Sequence, residues 1–402
     1  GDGPIVIFAW TQMHGNEATA TAAVFDLIYA LLQNDVSLPA ELKHTWQSQF
    51  TLHILPMLNP DGAERCIRQN AQAIDINRDA QAQQSPEGRL LMQLVDELQP
   101  AIGFNLHDQS PYYQCGTTGN PATIAFLAPA FDVVKTVDAE RLRAFAMINC
   151  MNETLQHIIP NCVARYDDTY SPRSFGDNIA GKKISTILIE SGAARNDPNR
   201  QIARQLNVSA ILSAMAYLSK SADKEQVNDE QAQSIQDAYF LIPENKSEAL
   251  SSVVITDLSF ADGTANAYCA GVSIKQSARY SDNFYIDFVG QLGIQAGLQS
   301  ISAKGLSYQH GKCYVLDSAE GAESANYIDL LREGYLSVYA AKEEYKTKLH
   351  NPEDLPVYWA KSESDVIGTP SALVLNQAAF LLFSKQDKIV AALLNGRYVT
   401  LT

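Results

Sequence analysis

His14 and Glu17, three positions apart, lie between an apolar run, Pro4 to Trp10, and an alanine- and leucine-rich stretch from Ala18 to Leu32. The run reads as a buried strand and the stretch as a helix, so imidazole and carboxylate occupy the turn at the strand's carboxyl end. Open α/β sheets bind ligands there. Both side chains are zinc ligands, and a catalytic zinc usually takes three protein ligands and a water. Alone the pair is weak, because about one His in twenty meets a Glu three residues on by chance. Two later strand ends strengthen it. Ala101 to His107 reads as a short apolar strand that delivers a second histidine, completing a His2Glu ligand set. Lys183 to Glu190 is the most β-like run of this half and ends in a lone carboxylate. An acid at the end of a buried strand costs desolvation energy unless it is paired or working. Beside zinc it is the natural general base for the metal's water.

Between these strands, Arg68, Asn70, Asp75, Asn77, Arg78 and Asp79 fall in one short segment with few apolar anchors. A solvated loop whose charges pair with each other would have this composition. So would an anion site, where the planar fork of Arg matches a carboxylate and Asn adds a neutral donor. Asn59-Pro60-Asp61-Gly62 is a turn signal closing the strand Phe50 to Leu58. The positioning elements follow from periodicity. Val24, Leu27, Ile28, Leu31 and Leu32 form one helical stripe, and Leu90, Leu91, Leu94, Val95 and Leu98 another. Long helices are expected over Val137 to Ile159 and Arg200 to Leu218. His44, His53 and His157 read as surface or satisfied core histidines. Strand, turn and helix repeat, and His14, His107 and Glu190 each leave the carboxyl end of a separate strand, so one crevice can gather all three.

In order and spacing these residues resemble the zinc carboxypeptidase family, the carboxypeptidase A-like metallopeptidases, over roughly residues 4–220. His14-Gly-Asn-Glu17 matches the family's His-x-x-Glu, and Asn59 to Gly62 its Asn-Pro-Asp-Gly turn. Arg68 through Arg78 matches Arg-x-Asn-(x)4-Asp-x-Asn-Arg, and Glu190 stands in Ile-Glu-Ser-Gly. The resemblance implies an α/β fold, a mixed sheet flanked by helices, with one zinc per chain held by His14, Glu17 and His107. It implies Glu190 as base, Arg68 as the residue that stabilises the oxyanion, and Asn77 with Arg78 as the clamp for a terminal carboxylate. Asp75 matches the acid that orients the first zinc histidine. The chain departs from the pattern at Ala73, where many relatives have Gly. The family's mobile active-site tyrosine has no unambiguous counterpart. Tyr170 is the first candidate for that substrate-binding role and Tyr166 the second. Asp177 falls near the family's specificity segment without spelling a preference.

The 402 residues exceed one typical core, so two domains are expected. Hydrophobic content of 46% with 19% charged residues describes a folded globular chain. A net charge of −15 argues against nucleic acid and anionic membrane surfaces as partners. No apolar run has the length of a membrane span. Six cysteines without a CxxC pair read as buried free thiols of a reducing compartment, hence a cytoplasmic location. The expected division is a catalytic domain over 1–220, a polar linker over 221–239, and a β-rich accessory domain over 240–402. That last part should contain one helix between Ala322 and Lys348 and end in a hairpin around Asn395-Gly396. His310 and His350 there have no ligand-spaced companions.

Taken together, the sequence points to a zinc metallocarboxypeptidase that hydrolyses a peptide or amide bond next to a free terminal carboxylate. The substrate is a peptide or a small acylated amino acid. An aspartoacylase-like deacylase shares the His-x-x-Glu, Asn-Arg and His elements, and a γ-D-glutamyl cell-wall peptidase would use the same residues. The Asn-Pro-Asp-Gly turn favours the peptidase. A metal-free binding protein that kept the fold is the reading from a different class.

Overall fold

Alternation along the first strand decides the layering of the amino-terminal half. Ile7 and Ala9 point to one face, Phe8 and Trp10 to the other, and all four are buried, so the sheet must be covered on both sides. The computed structural model describes residues 1–221, 227–246, 249–261, 267–277, 283–293, 295–369 and 372–401. They form two compact units, Gly1–Glu248 and Ala249–Thr402.

The first unit runs β1 (Ile5–Thr11), α1 (Thr19–Gln33), β2 (Phe50–Leu55), α2 (Pro60–Glu64), α3 (Pro86–Leu98), β3 (Ile102–Asp108), β4 (Ile124–Leu127), α4 (Ala139–Ile158), β5 (Val163–Arg165), α5 (Phe175–Ala180), β6 (Ser185–Ser191), α6 (Gln201–Ser221) and α7 (Asp229–Leu241). Its sheet has the order β2-β1-β3-β6-β4-β5. All neighbours are parallel except β4 against β6. This is the mixed sheet flanked by helices expected from the sequence. Val24, Leu27 and Leu31 of α1 join Phe145 and Ile148 of α4 and Leu206 and Ala210 of α6 on one face. Leu91 and Val95 of α3 join Phe175 and Ile179 of α5 on the other. Between them β3 is buried along its whole length, and its parallel register with β6 sets His107 opposite Glu190.

The expected boundaries need correction. The first unit does not close at residue 220, because the stretch taken as linker contains α7. Asn228 and Gln231 form a capping box at its start. Tyr239 of α7 is fully buried, stacks on Phe145 with ring centroids 4.0 Å apart, and accepts a hydrogen bond from the Ala128 amide. The polypeptide then returns to the first unit, pairing Asn245–Lys246 with Gln114–Cys115.

The second unit is β-rich, as expected. Its large sheet has the order Phe284–Gly290, Ala267–Gln276, Leu250–Ala261, Ser307–Gln309, Phe380–Lys385, Lys388–Leu394, Arg397–Thr400, with Ala296–Ser302 also pairing on Leu250–Ala261. The closing hairpin turns at Asn395 (φ 50°) and Gly396 (φ 87°), the left-handed pair its turn type requires. The single helix expected between Ala322 and Lys348 is instead two short helices, Ala319–Ser324 and Tyr327–Arg332, then a strand, Tyr335–Ala340, and a 3-10 turn. Gly334 at φ 90° breaks the helical run, and the β-branched and aromatic residues after it pair as a strand. The cysteines are all free, but only Cys115 is fully buried, whereas Cys66 and Cys269 are exposed, contrary to the expectation of uniformly buried thiols. Among the described residues no helix is long and apolar enough to cross a membrane.

The docking of α7 yields a prediction. Tyr239→Ala empties a fully buried aromatic site and orphans the Ala128 amide, so the unfolding free energy should fall by about 3–5 kcal/mol. Denaturant unfolding of the full chain measures it. A loss under about 1 kcal/mol would mean that α7 is not part of the core.

Candidate metal centre and active site

The turn after β1 is built around a close approach. Gln12 adopts φ 51°, and its Nε2 donates to the Gly15 carbonyl at 2.8 Å. A β-carbon on Gly15 would lie 1.9 Å from the carbonyl carbon of Gly62, so only glycine fits. Asn59 locks the two segments together. Its Oδ1 caps α2 by accepting from Gly62 N, while Nδ2 donates to the carbonyls of Met13 and Arg68. The Asn-Pro-Asp-Gly motif therefore ties the His14 turn to the start of the arginine segment.

That turn and the end of β3 aim His14, Glu17 and His107 at one point, their donor atoms all within 4.8 Å of one another. The residues are 2%, 6% and 2% exposed. Glu17 Oε1 lies 2.8 Å from His14 Nδ1, and Oε2 lies 2.8 Å from His107 Nδ1. His14 Nε2 lies 3.3 Å from Asp75 Oδ1. A proton on Nε2, turned to Asp75, leaves the Nδ1 lone pair facing a carboxylate lone pair. A second ring proton, the Arg68 guanidinium or a metal cation can relieve that opposition. Burial works to raise the Glu17 carboxyl, but His14 and His107 outweigh it and hold it well below the usual range. Burial likewise works to lower His14, and Glu17 and Asp75 outweigh it and raise it. Two imidazoles and a carboxylate, converging and shut off from water, are a donor set that fits zinc.

Arg68 joins this cluster from the side. Its Nε donates to Asp75 Oδ2 at 3.0 Å, and its Nη1 lies 3.2 Å from His14 Nδ1 and 3.8 Å from Glu17 Oε1. Asp75 works against its own burial and stays low through His14 and Arg68. The other members of the segment divide. Asn70 is internal: Oδ1 accepts the amides of Gln72 and Ile74, and Nδ2 donates to Glu87. Asn77 Oδ1 accepts the Phe175 amide and so anchors the start of α5. Arg78 is exposed, its Nη1 on the Asn77 carbonyl at 2.7 Å, and among the described residues no carboxylate lies within ion-pair distance of it. Within the segment Arg68 and Asp75 pair with each other, as the solvated-loop reading expects, and the anion-site reading is carried forward as a proposal.

Glu190 closes the site at the end of β6. Its Oε2 is buried without a hydrogen-bond partner. Burial pushes its carboxyl up to about 7, with His107 opposing and the Glu17 and Asp108 carboxylates reinforcing the rise. Of the two tyrosines expected near the site, the structure brings Tyr166. Burial, Glu190 and a hydrogen bond with Tyr113 all raise its phenol. Among the described residues Tyr170 makes no hydrogen bond, and Asp177 is spent locally on the Ser171 amide and the Ser174 hydroxyl. Sequence reasoning missed Tyr113 and Asp108. Asp108 Oδ2 accepts from the Thr19 amide and hydroxyl, and its amide donates to Glu17 Oε2 at 3.2 Å. Its place directly after His107 was the available signal.

Residues 3–114 match the family model described as zinc carboxypeptidase, which spans His14, Glu17, Arg68 to Arg78 and His107. No curated protein matches the chain. Among solved structures, a metallo-carboxypeptidase from Burkholderia cenocepacia is 16% identical, over 55% of this chain and 58% of its own, with a TM-score of 0.44. One from Pseudomonas aeruginosa, in complex with (2-guanidinoethylmercapto)succinic acid, is 20% identical over 55% of this chain and 58% of its own, TM-score 0.41. A succinylglutamate desuccinylase/aspartoacylase from Rhodobacter sphaeroides is 15% identical over 54% and 56%, TM-score 0.36. The chain thus spans 58% of the length of the first two structures.

Ala73, the departure noted in the arginine segment, has φ 60° and donates its amide to the Asn70 carbonyl. An alanine in that left-handed region costs about 1–2 kcal/mol. After the extra unfolded-state freedom of glycine is deducted, Ala73→Gly should stabilise the protein by about 0.5–1 kcal/mol. A rise in the midpoint of chemical unfolding with unchanged slope is the expected result. A lower midpoint would show that the turn carries no strain.

Proposed function

We propose that the first unit is a zinc-dependent hydrolase of carboxypeptidase type, cleaving a peptide or amide bond next to a free terminal carboxylate. The observation that carries this reading is the convergence of His14, Glu17 and His107, with Glu190 set opposite His107 in the β3–β6 register. When bound at those three residues, zinc supplies a Lewis acid and a water of lowered pKa. Glu190 takes a proton from the attacking water and returns it to the leaving amine. A carboxyl lifted by burial suits both halves of that transfer. Arg68, with Nη1 turned toward the ligand cluster, stabilises the negative oxygen of the tetrahedral adduct. Asp75 keeps His14 in one orientation through Nε2.

Arg78 offers its exposed fork to the substrate's terminal carboxylate. Asn77 has its Oδ1 committed to Phe175, so it contributes only through its amide Nδ2. Tyr166, next to Glu190 and Glu17, is the better candidate than Tyr170 for the substrate-facing tyrosine. An N-acyl amino acid also presents an amide beside a free carboxylate, so a deacylase would use the same parts.

Three comparisons test the division of labour. Glu190→Gln keeps shape and removes the base, so kcat should drop about 10²–10⁴-fold with binding preserved. Arg78→Ala loses a charge-assisted hydrogen bond worth about 1.5–3 kcal/mol, seen mainly in kcat/KM on substrates with a free C-terminus. C-terminally amidated peptides should already be poor for the unaltered enzyme. Equal turnover of free and amidated peptides would remove Arg78 as a carboxylate clamp. Turnover of N-acyl amino acids alone would select the deacylase.

A further inference from the structure

Arg200 is a cation just before α6, 8% exposed, in a left-handed conformation with φ 54°. Its Nη1 donates to the Ser191 carbonyl, and its Nη2 donates to the Gln109 carbonyl at 2.8 Å. Ser191 directly follows Glu190, and Gln109 is the second residue after His107. The β3–β6 ladder ends here, with Asp108 opposite Ser191, and beyond it the Gln109 amide donates to the Ser191 carbonyl at 3.0 Å. Strand ends open more readily than strand centres unless something holds them. One planar guanidinium spans both carbonyls through two separate nitrogens held in a rigid fork, a geometry the single ammonium of a lysine does not reproduce.

The surroundings fasten the same two residues from other sides. Ser191 Oγ accepts from the buried Asn207 of α6 at 2.9 Å. Gln109 Nε2 donates to the Ala122 carbonyl at 2.7 Å, and its Oε1 accepts from Asn245 at 2.6 Å. A β-carbon on Gly192 would lie 1.9 Å from the Ala122 oxygen, so the chain after Ser191 passes too close to Ala122 for any side chain. Beside the hydrogen bond from the Gln109 amide to Ser191, the guanidinium is a second, side-chain bridge between the two strand ends.

We propose that Arg200 is a positioning residue that clamps the carboxyl ends of β3 and β6 and thereby sets Glu190 against His107. The proposal rests on the reading of His107 as ligand and Glu190 as base. The hydrogen bonds that carry the proposal run from Arg200 to the backbone. Arg200 acts through the two carbonyls, and a loosened clamp would cost rate and metal affinity before it cost substrate binding.

The test uses the full chain. In Arg200→Lys, kcat should fall about 10–100-fold with KM nearly unchanged, and the zinc Kd from chelator competition should weaken about tenfold. Arg200→Ala should regain part of both on adding guanidinium ion at non-denaturing concentration. A lowered thermal midpoint with unchanged kcat and unchanged zinc Kd would reduce Arg200 to a structural brace and overturn the proposal. Amide hydrogen exchange on the unaltered apoprotein decides the matter if the variants do not fold. The Gln109 amide should exchange as slowly as the centre of β3, and exchange at the rate of exposed loops would overturn the clamp. If the unaltered protein turns over no substrate, the functional reading fails, while zinc affinity and exchange still judge Arg200.

Discussion

Glu17 carries a carboxylate that water barely reaches, and the site is arranged around neutralising it. An ionised carboxylate moved out of water costs several kcal/mol unless partners replace its hydration. One oxygen is turned to His14 and the other to His107. Arg68 stands behind at 3.8 Å and is itself shared with Asp75. Glu190 and Asp108 add two more acids close by. The arginine and two imidazoles are few positive groups against that many carboxylates, and only the arginine is permanently charged. A divalent cation at the three converging donors offsets much of the imbalance, which is why the cluster fits a metal ion.

The remainder of the first unit can be understood as holding those donors in place. The parallel register of β3 with β6 fixes His107 opposite Glu190, and that of β1 with β3 brings the His14 turn alongside. Asn59 then draws three separate segments together through one side chain. The local costs are visible where the backbone leaves its preferred regions, at Gln12 and Ala73 beside the ligand turn and the arginine segment.

The parts of this arrangement that depend on residue type at a strand end were legible in the sequence. The convergence of His14, Glu17 and His107, with Glu190 opposite His107, was readable because side-chain types able to bind a metal stand at the ends of apolar runs that betray their strands. What depends on packing partners was not. The apolar residues of α7 gather at its carboxyl end around Tyr239, so the polar stretch before them resembled a linker. Its capping residues, Asn228 and Gln231, were the overlooked clue. Tyr166 and Tyr170 are alike in sequence, and only the edge strand β5 turns the first toward Glu190. The role of Arg200 has no sequence signature, because its partners are backbone carbonyls. In the second unit, the stretch from Ala322 to Lys348 satisfies helical and strand patterns at once, and tertiary pairing decided between them.

The central claim is that two imidazole nitrogens and a Glu17 oxygen bind one zinc. X-ray absorption at the zinc edge, on protein loaded to one equivalent and dialysed, tests it most directly. The account predicts two histidine shells with light-atom ligands at about 2.0–2.1 Å and no sulfur. Sulfur at about 2.3 Å would place the metal on cysteine instead, and that result, or a protein that retains no zinc, would contradict the account.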